Sequence, residues 1–255
     1  MERKPTFLHQ MNPLITCMIQ ADNMQSAIKT ARNAAYDGCD AYGFQLEVFS
    51  KEQRTDDNMK SIFREMGRKP IYVTSYRSGQ NAGMSDDELV DTLAWMINCG
   101  ATLADVMGDY YCPDPIQITY DTTAVAKQKD AVKRIHDLGG EVLMSSHTMK
   151  FMTSDEVLKI ATAHRDRGAD ISKIVTTANS EDEELENLRT IERLRRELDI
   201  PFLFLCGGSH TKLVRTIGPY LGTCMWLTVQ RHDKLSTNAQ PVCRAIRTIA
   251  DNFDY

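Results

Sequence analysis

The chain of 255 residues contains no run of ~18 apolar residues, the length a membrane-spanning helix requires. Its opening MERKPTFLHQ holds no apolar stretch of the kind a secretory leader carries, so a soluble, cytoplasmic protein is expected. A polybasic run is also missing. The net charge is −5 and the basic residues are scattered, which argues against nucleic acid or an anionic membrane as a partner. No Cys-x-x-Cys pair occurs. The seven cysteines are odd in number and mostly set in apolar runs, which favours reduced thiols packed as small hydrophobes over a disulfide framework. No GxGxxG follows the first apolar run, which weakens a dinucleotide-binding reading. His-x-His, HExxH and paired-acid spacings are absent too, and His136 and His164 fall in helical segments, so a metal site is not expected.

What the sequence does have is alternation. Short apolar runs begin at Ile15, Asp40, Pro70, Leu103, Glu141, Ala169, Pro201 and Gly222, each of strand length. Between them lie amphipathic segments near residues 24–36, 56–66, 85–99, 122–138, 153–166, 181–198, 211–219 and 239–252. Start signals precede some of these segments: Ser85 with Glu88, and Thr153 or Ser154 before Asp155 and Glu156. Others stop on glycine, at Gly38, Gly67, Gly100, Gly139 and Gly168. A strand–helix unit thus recurs about every 32 residues, eight times, which argues for an α/β fold of the (β/α)8 TIM-barrel type. One barrel domain over residues 1–255 is expected, with an open doubly wound sheet as the alternative.

In such a barrel the chemistry lies at the carboxyl ends of the strands. The polar residues expected there are Gln45 and Glu47, Arg77, Asp105 and Asp109, His147, Lys173, Arg215 after the Gly207-Gly208 turn, and Ser236 and Gln240. Lys173 stands inside the apolar run ADISKIV, and an unpaired ammonium in such a place costs several kcal/mol. It has two readings: a buried or snorkelling lysine in an ion pair, or an amine kept neutral by desolvation that condenses with a ketone. His147, on the neighbouring strand, is either a satisfied core residue or the base that removes a proton beside an imine. Arg77 and Arg215 would bind an anionic substrate and press the amine toward its neutral form.

His147 in SSH, Lys173 in GADISKI and Arg215 in GSHTKLVRTIG, taken together and in this order, resemble the type I 3-dehydroquinate dehydratases. YLGT after Arg215, the Ser236–Gln240 spacing and KPIYVTSYRS also resemble that family, and the similarity spans essentially the whole chain. The resemblance implies a barrel enzyme, usually dimeric and free of metal or cofactor, acting on a small keto-carboxylate in the cytoplasm. In the family's reaction a lysine forms a Schiff base with the ketone of 3-dehydroquinate. A histidine then removes a proton and assists loss of water, giving 3-dehydroshikimate in aromatic amino acid biosynthesis.

Carried across, Lys173 is the Schiff-base residue and His147 the general acid/base. Arg215, Ser236 and Gln240 hold the carboxylate, and Arg77 contacts the ring hydroxyls. Gln45 stands where the family has a pocket arginine, and Gly43 where it has a glutamate. Asn81-Ala82-Gly83 replaces a Glu-Gly-Gly turn whose acid supports the histidine, and Asp105-Val106-Met107 replaces Asp-x-Glu. A longer segment around DYYCPDPIQITYDTT is expected to bring Tyr110, Tyr111 and Tyr120 close to the barrel mouth. These departures leave open a related cyclic substrate, an aldolase-like carbon–carbon lyase using the same imine, or a non-catalytic carboxylate-binding relative.

Overall fold

A computed structural model describes residues 5–253, so the first four residues of the opening segment read above lie outside it. The strands are β1 Leu14–Ile19, β2 Ala41–Gln45, β3 Ile71–Thr74, β4 Leu103–Met107, β5 Glu141–His147, β6 Ile171–Thr177, β7 Phe202–Gly207 and β8 Met225–Val229. They alternate with α1 Met24–Tyr36, α2 Asp56–Glu65, α3 Asp86–Asn98, α4 Thr122–Asp137, α5 Ser154–Asp166, α6 Glu181–Glu197, α7 Lys212–Leu221 and α8 Cys243–Ala250. All strand pairs are parallel, in the order β7-β6-β5-β4-β3-β2-β1-β8. The ring nearly closes between β8 and β7, where the Cys224 N–H donates to Phe202 O at 2.8 Å. This is the (β/α)8 barrel. The open-sheet alternative falls because β1 pairs with β8 as well as β2.

The local signals act as their chemistry suggests. Ser85 and Thr153 each cap a helix, with Glu88 and Glu156 bonding back to the cap backbone, so a capping box closes the start of α3 and of α5. Gly100 and Gly168, which end α3 and α5, have φ of +116° and +92°, a conformation that side-chain-bearing residues rarely adopt. The second apolar run ends sooner than its hydrophobicity suggests. After Gln45 the chain turns into a short 3₁₀ segment, Leu46–Val48, with Leu46 buried outside the ladder.

Two-residue alternation sends every second side chain into the barrel. Met18, Ala41, Tyr72, Leu103, Leu143, Ile171, Leu203, Leu205, Met225 and Leu227 pack there as one buried cluster. Gly43 sits opposite Met18 on β1 and Tyr72 on β3. A Cβ at Gly43 would lie 2.1 Å from Met18 Sδ and 3.2 Å from Tyr72 Cδ1, so these two side chains already fill the space a larger residue would need.

Candidate active site

Inward parity on β6 runs Ile171, Lys173, Val175, and on β5 it runs Leu143, Ser145, His147, with Ser145 in register with Lys173. Lys173 therefore points into the barrel, and its side chain is 5% exposed. Its Nζ donates to Tyr76 OH at 2.6 Å, to Tyr72 OH at 2.9 Å and to Asp105 Oδ2 at 3.1 Å. An ammonium has three N–H donors, and here all three are used.

Asp105 is fully buried and accepts from Tyr72 OH, from Tyr76 OH at 2.5 Å and from Ser145 Oγ. Burial opposes its ionisation, but the Lys173 charge and the three hydroxyls outweigh that, so its carboxyl titrates below the usual range. Burial and the Asp105 charge push both tyrosines well above the ordinary phenol value, so each hydroxyl keeps its proton. Each phenol thus accepts from the amine and donates to the acid. The result is a closed five-residue network at the carboxyl end of β3 to β6.

His147 ends β5 with its ring edge-on to Tyr76, the centroids 5.3 Å apart and the planes at 85°. Its Nδ1 and its backbone N–H both lie at hydrogen-bond distance from Gln117 Oε1, at 2.7 and 3.1 Å. Burial, then the charge of Lys173 and more weakly that of Arg215, push its pKa down to about 3, against a smaller opposite pull from Asp105. The imidazole is neutral at physiological pH and meets the amine through Tyr76.

Arg215 lies in the first turns of α7. Its Nε donates to Cys206 O at 2.8 Å and to Thr211 Oγ1 at 3.1 Å. Burial lowers its pKa to about 10, still well above neutrality. Its two terminal nitrogens have no hydrogen-bond partner and no carboxylate among the described residues. Gln240 is buried with an unpartnered Oε1. Ser236 closes a turn on Asp233, accepting from its N–H at 2.8 Å and donating to its carbonyl at 3.0 Å. Gln45 donates to Glu47 Oε1 at 2.9 Å and accepts from Gln20, which in turn donates to Thr237 Oγ1 at 3.0 Å in the same loop as Ser236.

Arg77 stands apart from these. Tyr72, Thr74 and Tyr76 share the inward parity of β3 and its extension, so the next residue faces the other way. Arg77 binds Asp86 at 2.7 Å and Asp109 at 2.9 Å, and its second terminal nitrogen also reaches the Asp109 carbonyl at 3.0 Å. Four of its five N–H donors are spent on the frame, which leaves one hydrogen on the Asp109-bound nitrogen for the expected contact with ring hydroxyls. None of the anticipated tyrosines is bonded to the amine: Tyr110 is buried and donates to Ser75 O, Tyr111 packs under Lys127, and Tyr120 is 54% exposed beneath Lys159 and Arg167. The tyrosines at the amine are Tyr72 and Tyr76. The alternating Tyr72-x-Thr74-x-Tyr76 pattern was the available signal for them. Ser145 and Gln117 carry no comparable mark in the sequence.

A cavity of about 540 Å³ opens at the opposite end of the barrel between the 9–15 segment, Trp226 and α8. His9 and Arg247 line it, but no lysine does, so it offers no amine. Among the described residues no helix is long and apolar enough to cross a membrane.

Residues 15–252 match the sequence model of a family described as type I 3-dehydroquinase. The fold is similar to that of the 3-dehydroquinate dehydratase from Geobacillus kaustophilus, at a TM-score of 0.79 and 18% identity, covering 96% of this chain and 93% of that one. It is also similar to the type I enzyme from Clostridium difficile carrying covalently modified comenic acid, at 0.81 and 17%, covering 98% of both chains. The corresponding protein from Enterococcus faecalis gives 0.78 and 14%, over 98% of this chain and 99% of that one. No curated protein matches the chain.

Proposed function

This chain belongs to the type I 3-dehydroquinase family, and on that premise we propose that it is an imine-forming hydro-lyase. Its substrate in this reading is a cyclic hydroxy-keto carboxylate, 3-dehydroquinate or a close relative. One observation carries the reading: a buried amine with a carboxylate on one side and a neutral imidazole on the other, across a shared tyrosine.

The steps follow from that arrangement. Arg215 offers its two free terminal nitrogens to the substrate carboxylate as a bidentate clamp, with Gln240 beside it. Lys173 gives up a proton through the hydroxyls of Tyr72 and Tyr76, and Nζ attacks the ketone carbon. That proton returns to the carbinolamine hydroxyl, which leaves as water, and the resulting protonated imine puts a positive charge back where the ammonium stood, beside Asp105. The charge draws electrons from the adjacent C–H bond. His147, uncharged, takes that proton and passes it to the departing hydroxyl. Hydrolysis of the imine restores Lys173.

Full use of the three ammonium donors favours a second reading, a relative that binds carboxylates at Arg215 without turnover. Borohydride with 3-dehydroquinate separates the two. The lyase reading expects one reduced substrate added to Lys173 by mass, an ultraviolet-absorbing enone product without borohydride, and neither in Lys173→Met. Substrate binding with no adduct would establish the second reading instead.

A further inference from the structure

Gln117 lies in the segment between β4 and α4, which the sequence marked only by its length. Its side-chain amide has one oxygen and one nitrogen, usually indistinguishable by shape. Here the surroundings decide. The His147 backbone N–H lies 3.1 Å from one amide atom, and a peptide N–H can only donate, so that atom is the oxygen. The same oxygen lies 2.7 Å from His147 Nδ1. An oxygen without a proton can only accept, so Nδ1 carries the hydrogen and Nε2 is left with the lone pair.

The backbone around Gln117 is built to hold this position. Gln117 has φ of +51°, a left-handed conformation that costs a long side chain about 1 kcal/mol or more. Its N–H donates to Asp114 O at 2.9 Å, and its carbonyl accepts from Ser146 Oγ at 2.6 Å. Buried Arg167 ties both flanks of the segment, donating to Gly108 O at 2.8 Å and to Thr119 O, while Gln128 donates to Tyr110 O at 2.8 Å. Two backbone contacts of its own and three on the surrounding segment thus hold one strained residue whose amide meets His147 alone, at the ring and at the backbone N–H.

We infer that Gln117 is a positioning residue for the reaction, setting His147 as the Nδ1–H tautomer with Nε2 free to take the proton. This rests on the imine-lyase reading for its catalytic consequence, although the tautomer itself does not. An amide carries no charge, so it orients the ring without stabilising an imidazolium as a carboxylate would. The other charged groups facing the ring are Lys173 on β6, Arg215 on α7 and Asp105 on β4, and the two cations prevail over the one anion.

The test is nitrogen NMR on protein labelled at histidine, with His147→Gln to identify the signal. The wild type should show the hydrogen on Nδ1 and an unprotonated Nε2, with no titration between pH 5 and 8. Gln117→Leu should give a mixture of tautomers. Gln117→Glu should keep Nδ1–H but move the titration of the ring upward into that range. In turnover, Gln117→Leu should lower kcat on the order of ten- to a hundred-fold with KM little changed, and Gln117→Glu should recover part of it with a displaced acid limb. Borohydride should still trap substrate on Lys173 in Gln117→Leu. A hydrogen on Nε2 in the wild type, or a Leu variant with unaltered ring signals and kcat, overturns the inference. Failure of trapping in the wild type would instead overturn the lyase reading and leave the tautomer result standing.

Discussion

The two halves of the site differ in how much of their hydrogen-bonding capacity the protein itself consumes. On the side of β3 to β6, Lys173, Asp105, Tyr72, Tyr76 and Ser145 satisfy one another in a closed network. On the side of α7 and the loop after β8, Arg215 keeps two terminal nitrogens unspent and Gln240 keeps a buried acceptor unpaired. A buried polar group without a partner costs about 1–3 kcal/mol, so such groups persist where something else is meant to complete them. In the lyase reading the guanidinium side takes the incoming carboxylate. The amine side is arranged to hold a positive charge, first as ammonium and then, in the lyase reading, as iminium.

The largest effect should come from breaking the closed side. Asp105→Asn keeps the size and most of the acceptors but removes the only anion touching Lys173 among the described residues. An uncompensated buried charge costs about 3–5 kcal/mol, and denaturant unfolding should show a loss of that order. A loss under about 1 kcal/mol would mean that the tyrosine hydroxyls alone hold the amine, and the ion pair would cease to define that side.

On the open side, Arg215→Met should cost only about 1 kcal/mol of stability, because the Nε bonds to Cys206 O and Thr211 Oγ1 are lost while the terminal nitrogens hold nothing among the described residues. It should weaken binding of a carboxylate substrate by about 1.5–3 kcal/mol, on the order of ten- to a hundred-fold in KM. An unchanged KM would reassign the free donors to solvent and remove the asymmetry between the two halves.

Acid should strain the closed side through two imidazoles. His147 and His164 both have pKa pushed to about 3 by burial, with Lys173 and Arg167 respectively adding to it, whereas an unfolded histidine titrates near ~6.5. Between those values the unfolded chain binds protons that the folded chain does not. Stability is thus fully present above about 6.5 and falls as the pH drops toward 3, by about 1.4 kcal/mol per pH unit for each imidazole. His164 spans Ser146 and Ser172 at 3.0 Å each, so His164→Asn should halve that part of the slope. Unfolding curves from pH 7 to 4 measure this, and an equal slope in the variant would exclude His164 as a source.

The frame was more legible than the site. Period-two and period-3.6 patterns report burial directly, so the strands and helices lie within a few residues of where the pattern puts them. The exceptions are the end of β2 at Gln45, where the chain turns into the Leu46–Val48 segment, and the start of α8 at Cys243, four residues later than expected, where residues 233–240 form a loop that closes over Gln20. Lys173, His147 and Arg215 stand out in the sequence because each interrupts an apolar or helical pattern with a charge or an imidazole. Arg77 is engaged elsewhere for a local reason: one residue after Tyr76 reverses its parity and turns it toward Asp86 and Asp109. Gln117 was invisible because its role depends on a left-handed backbone and an arginine 50 positions away, Arg167, and neither leaves a mark in periodicity.

Ser236 offers the smallest and most discriminating contrast. It lies near the open side, in the loop that Gln20 ties to Gln45, yet its hydroxyl is already committed to Asp233 at both donor and acceptor. If the two halves are distinguished by spent and unspent groups, Ser236 belongs with the spent ones despite its position. Ser236→Ala should then change substrate affinity by no more than about 0.5 kcal/mol, the range of an ordinary surface substitution. A ten-fold rise in KM would show that the turn opens when the carboxylate binds, releasing the hydroxyl to it. The open side would in that case extend from Arg215 across the whole 233–240 loop, and Gln20 would be the hinge that allows it.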